Sequence, residues 1–261
     1  MRAPCWMLSA CVAALVTAVP PARSQIAGND HFATAAGPVE INIIHHASLM
    51  LASKDVRILI DPAPVDNGVQ GDAVTAPYKS AARPDLILIT HIHGDHFNVP
   101  ILQAVTGPAT VILAPQNVRD AMPADLQAKV KVMKNGDRGT FSGVQVEALP
   151  MYNTTPSRMN FHPKGLGNGY VLTIADKRIY IAGDTEETPE LARLSNIDLA
   201  FIPANLPYTE TAEAAAKWVK DFRPIIVFPY HTRNEDGTLS DMAAFSTLVG
   251  NASLVRLRKW Y

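Results

Sequence analysis

Cysteine is nearly absent from this chain of 261 residues. Its two cysteines, Cys5 and Cys11, both lie near the N-terminus. If residues 1–24 are removed as a leader, no disulfide can stabilise the mature protein, and no thiolate can act as nucleophile or metal ligand. The donors that remain are oxygen and nitrogen, which suit zinc, manganese or iron.

An excess of charge of one sign is also lacking. The chain has 23 lysines and arginines against 24 acidic residues, which gives a formal net charge of −1 at pH 7. Loss of Arg2 and Arg23 with the leader would take the net charge to −3. Proteins that bind nucleic acid usually carry a basic patch, so this balance gives no indication of a nucleic-acid partner.

The N-terminal segment has the three parts of a secretory signal peptide. Arg2 supplies a positive start, residues 5–19 form an apolar core, and Ala22-Arg23-Ser24 places small residues at the −3 and −1 positions of a cleavage site. The core is shorter than the roughly 20 apolar residues of a comfortable membrane span. The pattern predicts a signal peptide over residues 1–24, cleaved near Gln25. It predicts an exported protein, periplasmic or secreted, with no stable membrane insertion after cleavage.

Lipidation is the alternative processing route, because Leu8-Ser9-Ala10-Cys11 resembles a lipoprotein box. The apolar run continues past Cys11 to Val19, with little hydrophobic sequence before it, and this favours cleavage. Beyond the leader, residues 25–38 are expected to be flexible and residues 39–261 to form one folded domain. Nothing in the composition of the roughly 235 mature residues marks a linker or a repeat.

The most informative segment is His91-Ile92-His93-Gly94-Asp95-His96, which places three of the chain's eight histidines and a carboxylate in six residues. It directly follows an apolar run over residues 86–90. Three imidazoles beside a buried strand would be costly to desolvate without a partner, and imidazole and carboxylate are preferred metal ligands. His91 and His93 point the same way in an extended segment, whereas Asp95 and His96 must turn to a second position. The spacing therefore suggests two metals, with Asp95 as ligand, proton acceptor or both.

Three further candidates lie at the ends of predicted strands. His162 lies in the loop before residues 169–174, Asp184 follows residues 178–182 in a Gly-Asp-Thr turn, and His231 follows residues 225–229. One such residue alone is often only solvated. Three in the same structural position make coincidence a poor explanation.

Short aliphatic or β-branched runs predict strands, and apolar residues at helical spacing predict helices between the later ones. The strands are predicted over residues 39–44, 49–53, 56–60, 86–90, 110–113, 144–149, 169–174, 179–182, 199–202 and 225–228, and the helices over 100–106, 115–121, 189–194, 211–222 and 241–248. This order suggests two sheets that are covered outside by helices.

From about residue 39 to the C-terminus, the chain resembles the metallo-β-lactamase superfamily. The pattern of that superfamily is an Asp after an early strand, a His-x-His-x-Asp-His cluster, a lone His, a lone Asp and a last His. Asp61, the hexapeptide from His91, His162, Asp184 and His231 match it in order. The resemblance implies an α/β fold of the four-layer αβ/βα sandwich type, so that residues 39–261 would be a metallo-β-lactamase-fold hydrolase domain.

The resemblance also implies two sets of metal ligands, with Asp184 bridging the two metals: His91, His93 and His162 in one set, and Asp95, His96 and His231 in the other. Asp61 would orient a ligand loop without touching metal, a role that metal sites generally need.

Within the superfamily, residues 44–48, 58–62 and 180–185 are similar to the ascorbate-6-phosphate-lactonase-like hydrolases and their phospholipase D-type relatives. True metallo-β-lactamases usually carry Cys or Ser where the bridging Asp stands. Asp184 departs from that pattern, which argues against antibiotic hydrolysis as the main activity.

Four residues are candidate substrate contacts. Loops that carry Tyr152, Asn205 and Tyr208 leave strands on the same side as the ligands and could line a pocket. The resemblance favours His46 as the fourth, and the alternative is a structural histidine in a strand-to-strand turn.

The expected cofactor is a pair of divalent metal ions, zinc first, with manganese or iron as alternatives. A catalytic metal can bring the pKa of bound water from about 15.7 to about 7, so a hydroxide bridged by two metals is a nucleophile at neutral pH. Asp95 would be the catalytic residue that holds or receives its proton. Water, Tyr208 or His46 would protonate the leaving group.

Three functions compete. The first is hydrolysis of an ester-like bond, a lactone or a phosphodiester, in a small-molecule substrate, which the complete ligand set with Asp184 favours. The second is a glyoxalase-II-like thioesterase or an iron-dependent persulfide-type oxidoreductase. The third is a non-catalytic metal-binding module; such modules usually have lost ligands, and none is missing from this sequence.

Overall fold

The computed structural model of the protein describes residues 1, 30–64, 71–79 and 83–261. Apart from Met1, the predicted signal peptide, its cleavage point near Gln25 and both cysteines lie outside the described residues.

The first seven strands form one sheet and follow one another across it in chain order. Their bounds are Asp30–Thr34 (β1), Gly37–His45 (β2), Ser48–Ala52 (β3), Arg57–Ile60 (β4), Leu86–Leu88 (β5), Val111–Ala114 (β6) and Val130–Val132 (β7). Neighbours from β1 to β4 are antiparallel, and neighbours from β4 to β7 are parallel.

The second sheet repeats this plan. Its strands are Arg138–Phe141 (β8), Val144–Met151 (β9), Gly167–Ile174 (β10), Lys177–Ile181 (β11), Leu199–Pro203 (β12), Ile226–Tyr230 (β13) and Leu254–Val255 (β14). They also lie in chain order, antiparallel from β8 to β11 and parallel from β11 to β14.

The helices cover the outer faces of the two sheets. Their bounds are Asp72–Lys79 (α1), Val99–Val105 (α2), Gln116–Asp120 (α3), Ala124–Gln127 (α4), Ala212–Phe222 (α5) and Met242–Val249 (α6), with 3-10 helices at Leu191–Arg193 and Gly250–Ala252. The Thr211 side chain accepts a hydrogen bond from the N–H of Ala214 and caps α5. The apolar stripe that begins at Ala215 and includes Trp218 and Val219 is fully buried.

Side chains that alternate along the strands divide the core into three layers. In β5, Leu86 and Leu88 face the core between the sheets, while Ile87 faces the helices with Ile101 of α2. On the other side, α5 packs on the second sheet through a third cluster. The order is helix, sheet, sheet, helix, so the predicted four-layer αβ/βα sandwich is confirmed.

The prediction of a flexible segment up to residue 38 is wrong for residues 30–38. Asp30–Thr34 pairs with the start of β2, and this hairpin buries Phe32 and Val39. The short edge strands β7, β8 and β14 and the short helices α1 and α4 were not predicted, because few apolar residues mark them. Residues 189–194 form only a 3-10 turn rather than an α-helix. Among the described residues, no helix is long and apolar enough to cross a membrane.

Both sheets end their parallel strands at the same edge of the sandwich. The segments after β4, β5, β11 and β13, and the long connection from β9 to β10, carry Asp61 and the predicted ligands to this edge. Parallel strands in two facing sheets therefore bring together residues that lie far apart in the sequence.

Candidate metal centre

The hexapeptide from His91 to His96 forms a tight turn between β5 and α2. The N–H groups of His96 and Phe97 both donate to the carbonyl oxygen of His93, at 3.0 and 2.9 Å. His91 and His96 are buried, whereas His93 and Asp95 face solvent at least in part. The turn therefore places the side chains of His91 and His96 in the interior and those of His93 and Asp95 toward solvent.

The structure brings all seven predicted ligands together. They form two groups, and within each group the candidate ligand atoms lie within 4.8 Å of one another: His91, His93 and His162 in the first, and Asp95, His96, Asp184 and His231 in the second. Each group combines residues from both sheets.

Asp184 lies between the two groups. Its Oδ1 is 3.2 Å from Nε2 of His96, and its Oδ2 is 3.4 Å from Nε2 of His231. The same Oδ2 is 3.5 Å from Nε2 of His162, which belongs to the first group. This is the place that a bridging carboxylate would take.

Asp61 supports the ligands without joining either group. It is fully buried, and its Oδ2 accepts hydrogen bonds from Nδ1 of His96 and from Oγ1 of Thr90, both at 2.8 Å. Thr90 Oγ1 is in turn 3.0 Å from Nδ1 of His91. Asp61 thus fixes one imidazole directly and a second through Thr90, which is what ligand histidines generally need.

The loop that carries His162 is held from two sides. Nδ1 of His162 donates to the carbonyl oxygen of Tyr208 at 3.1 Å, and the Asn153 amide donates to the same oxygen at 2.7 Å. The buried carboxylate of Glu186 accepts from the N–H of Thr155 at 2.6 Å and from the Arg158 guanidinium at 2.7 Å. Because Glu186 lies two residues after Asp184, this network links two predicted ligands.

Burial and the close carboxylates set the protonation of the centre. Burial lowers the pKa of His91 well below its ordinary value and that of His162 to about 4. Burial would also lower the pKa of His96, but the charges of Asp184 and Asp95 raise it well above its ordinary value. Burial would raise the pKa of Asp184, but His231 and His96 hold this pKa well below its ordinary value.

Several buried atoms at the centre face each other without a hydrogen bond. Among the described residues, Nε2 of His96, Nε2 of His162 and Oδ1 of Asp184 have no hydrogen-bond partner. Buried polar atoms are normally paired, so these three atoms need a binding partner that the described residues do not supply. Imidazole and carboxylate donors suit a divalent cation, and the residues therefore fit the metal ions that the sequence pattern predicts.

A cleft of about 650 Å³ opens above the centre. Three of the four predicted substrate contacts, His46, Asn205 and Tyr208, line it. Nε2 of His46 lies 3.1 Å from Oδ2 of Asp95, and burial lowers the pKa of His46 to about 4.

Tyr152 is not among the residues that line the cleft, and its role as a substrate contact stays a prediction. Its hydroxyl donates to Glu190 at 2.8 Å, and the ammonium of Lys164 lies 4.6 Å from the centre of its ring. This direction of the side chain depends on a contact with Glu190, 38 residues later in the sequence.

Sequence reasoning missed several residues that shape the centre. Arg233 and Phe161 line the cleft beside the predicted residues. Asn153, the neighbour of the predicted contact Tyr152, holds the loop that carries His162. An Asn close to a predicted ligand loop is a sequence signal that could have indicated this role. Thr90, directly before His91, has no predicted role beyond the strand.

Comparison with known proteins agrees with this geometry. The family model described as the beta-lactamase superfamily domain matches residues 40–231. A crystal structure from Parabacteroides distasonis, named as a metal-dependent hydrolase, is 38% identical, with a TM-score of 0.77, and the match covers 90% of this chain and 99% of that one.

Two sequence relatives carry the same name of metal-dependent hydrolase. The relative from Thermus thermophilus is 28% identical over 80% of this chain and 90% of its own length. The relative from Ligilactobacillus salivarius is 33% identical over 66% of this chain and 74% of its own length. The chain belongs to the metallo-β-lactamase superfamily.

Proposed function

We propose that this member of the superfamily is a metal-dependent hydrolase that cleaves an ester-like bond, a lactone or a phosphodiester, in a small-molecule substrate. The observation that carries the proposal is the position of Asp184, whose carboxylate lies within 3.5 Å of imidazoles from both ligand groups. The names of the relatives support the class of reaction, and the donor chemistry supports two divalent cations, zinc first.

His91, His93 and His162 would hold one cation, and Asp95, His96 and His231 would hold the other. Asp184 would be shared between them. When bound, two divalent cations would supply a hydroxide at neutral pH and polarise the carbonyl or phosphoryl oxygen of the substrate. The shared position is occupied by the carboxylate of Asp184 rather than by a cysteine or a serine, in keeping with a hydrolase other than a β-lactamase.

Asp95 is the proposed catalytic carboxylate. Its side chain is 40% exposed to the cleft, while His231 and His46 hold Oδ2 at 3.2 and 3.1 Å. Burial would raise the pKa of Asp95, but the surrounding imidazoles keep it well below its ordinary value, so the carboxylate is ionised at neutral pH.

Tyr208 is the proposed donor to the leaving group. It lines the cleft with its hydroxyl 3.4 Å from Oε1 of Glu235. Partial burial and the charge of Glu235 raise the pKa of Tyr208, so the phenol keeps its proton at neutral pH. His46 is less suited to this role, because burial lowers its pKa to about 4 and its imidazole is neutral at neutral pH.

A substrate panel on the zinc-loaded chain tests the proposal. Chromogenic phosphodiesters, lactones, thioesters and a cephalosporin should separate the classes, and we expect turnover of a lactone or a phosphodiester. Asp184→Asn should lower it at least about 10-fold. Asp176→Asn, at the opposite end of β11, is the matched control and should keep it. Preferential turnover of thioesters, or activity only with iron, would support the thioesterase or the oxidoreductase instead.

We also propose that the mature protein acts outside the cytoplasm. The support is the signal-like segment of residues 1–24. The proposal covers both a periplasmic and a secreted protein.

A further inference from the structure

His231 differs from the other buried imidazoles in how its ring is held. Nδ1 of His91, His96 and His162 each contacts an oxygen atom of a neighbouring residue. Nδ1 of His231 has no hydrogen-bond partner among the described residues, although the residue is 2% exposed. Apart from the contact of its Nε2 with Oδ2 of Asp95 at 3.2 Å, the direction of its ring therefore comes from its backbone and from packing.

The backbone of His231 is itself in an uncommon conformation. Its φ of +47° lies in the left-handed region, which residues other than glycine rarely adopt. Such a conformation persists only where the surroundings fix it. The N–H groups of the next two residues, Thr232 and Arg233, both donate to the hydroxyl oxygen of Tyr261, at 2.9 and 3.1 Å. One phenol oxygen thus fixes the turn that follows His231.

The neighbour of His231 is held in the same way. His46 also has a positive φ, +55°, and its N–H donates to the carbonyl oxygen of Trp260 at 3.0 Å. The ring centres of His46 and His231 are 3.8 Å apart, and that of His46 is 5.4 Å from the ring of Tyr261. Residues 260–261 therefore support both histidines.

Trp260 gives this support a rigid base. Its side chain is 4% exposed and packs edge to face on Phe201 and Tyr230 in the core between the sheets. The guanidinium of Arg233 lies 4.2 Å from the ring centre of Tyr261 and covers it. The hydroxyl of Tyr261 is thus placed from both sides.

We infer that Tyr261 is a positioning residue that directs the imidazole of His231 toward Asp95 and Asp184. Tyr261 does not line the cleft, so it acts through His231 rather than on substrate. The inference rests on the proposed function, because it takes His231 as a metal ligand.

Removing only the hydroxyl tests this role. Tyr261→Phe keeps the ring against Arg233 and His46 but leaves two N–H groups without their acceptor. We would titrate the chain with Zn²⁺ against a chromogenic chelator to obtain both stepwise affinities, and with Co²⁺ to record the absorption of each equivalent. His231→Ala gives the reference for a lost ligand, and Tyr152→Phe is the control, a buried phenol outside the cleft.

For Tyr261→Phe we expect one zinc to bind as in the wild type and the other to bind 10- to 100-fold more weakly, roughly the range for loss of a group that supports a ligand. The cobalt spectrum should shift toward that of His231→Ala, while Tyr152→Phe changes neither. Two wild-type affinities, or equal weakening of both with a lower Tm of the metal-free protein, would overturn the inference. A wild type that binds one zinc would instead overturn the proposed centre, and the inference with it.

Discussion

Replacing Asp61 with asparagine should weaken the metal centre by changing where hydrogens sit, with no change in side-chain size. Oδ1 of Asp61 accepts the N–H of Thr90 at 2.7 Å, and Oδ2 accepts from Thr90 Oγ1 and from His96 Nδ1. Because a carboxylate only accepts, Nδ1 of His96 carries a hydrogen and Nε2 faces Asp184. Asp61 has a φ of +44°, a region that asparagine tolerates well, so the substitution adds no backbone strain.

An asparagine at position 61 offers one acceptor and one donor, and either orientation creates a conflict. With its NH₂ toward Thr90 N–H, two donors face each other. With its NH₂ toward His96, the histidine must move its hydrogen from Nδ1 to Nε2, the atom that would bind metal. One buried donor without a partner costs about 1–3 kcal/mol. Since about 1.4 kcal/mol is tenfold, zinc affinity at the His96 group should fall about 5- to 150-fold.

Chelator competition with Zn²⁺ measures this loss, and ¹⁵N chemical shifts of the imidazoles report which nitrogen of His96 carries the hydrogen. Asp85→Asn is the matched control, because Asp85 lies at the opposite end of β5 and accepts the N–H of Arg57 at 2.9 Å. We expect wild-type zinc affinity for this control. The reasoning is refuted if Asp61→Asn binds both zinc ions as tightly as the wild type while Nδ1 of His96 keeps its hydrogen.

Three further outcomes are expected. Asp184→Asn removes the charge that two cations would share, so the affinity for each metal and the turnover should both fall at least about 10-fold. The circular dichroism spectrum should not change. Two retained metals with full turnover would make Asp184 only a turn residue. Burial raises the pKa of Glu210 from its ordinary 4.5 to about 8, so folding favours the protonated form and stability is lost as pH rises between these values. The free energy of unfolding of Glu210→Gln should therefore rise relative to that of the wild type from about pH 5 to 8, by at most about 1.4 kcal/mol for each pH unit. Urea unfolding at several pH values measures this difference. A difference that does not vary with pH would contradict the reasoning. Finally, N-terminal sequencing of the exported protein should begin near Gln25, and an intact Met1 in the cytosol would refute export.

The hexapeptide from His91, Asp184 and His231 could be predicted as ligands from sequence because each follows a strongly apolar strand. The carboxyl ends of parallel strands share one edge, so Asp61, His91, Asp184 and His231 meet for a topological reason. A repeated position after strands is visible without coordinates. The four-layer order followed from the same alternation of strands and helices.

The supporting residues could not be predicted in this way. Tyr261 contacts an N–H that is 29 residues away, and no local pattern marks this contact. The side-chain direction of Tyr152 depends on Glu190, 38 residues away, and the sequence does not show this contact either. The edge strand β1 was missed since only Phe32 is buried in it.

Each ligand group draws on both halves of the chain, and a bound cation would therefore be a cross-link. In the first group a cation would join His93 in the turn after β5 to His162 near β10, closing a loop of about 70 residues. A covalent link of that loop length would restrict the unfolded chain by roughly 4 kcal/mol in the chain-entropy model. A protein with no cysteine beyond Cys11 would in this way obtain from bound cations a restraint that disulfides supply in other proteins.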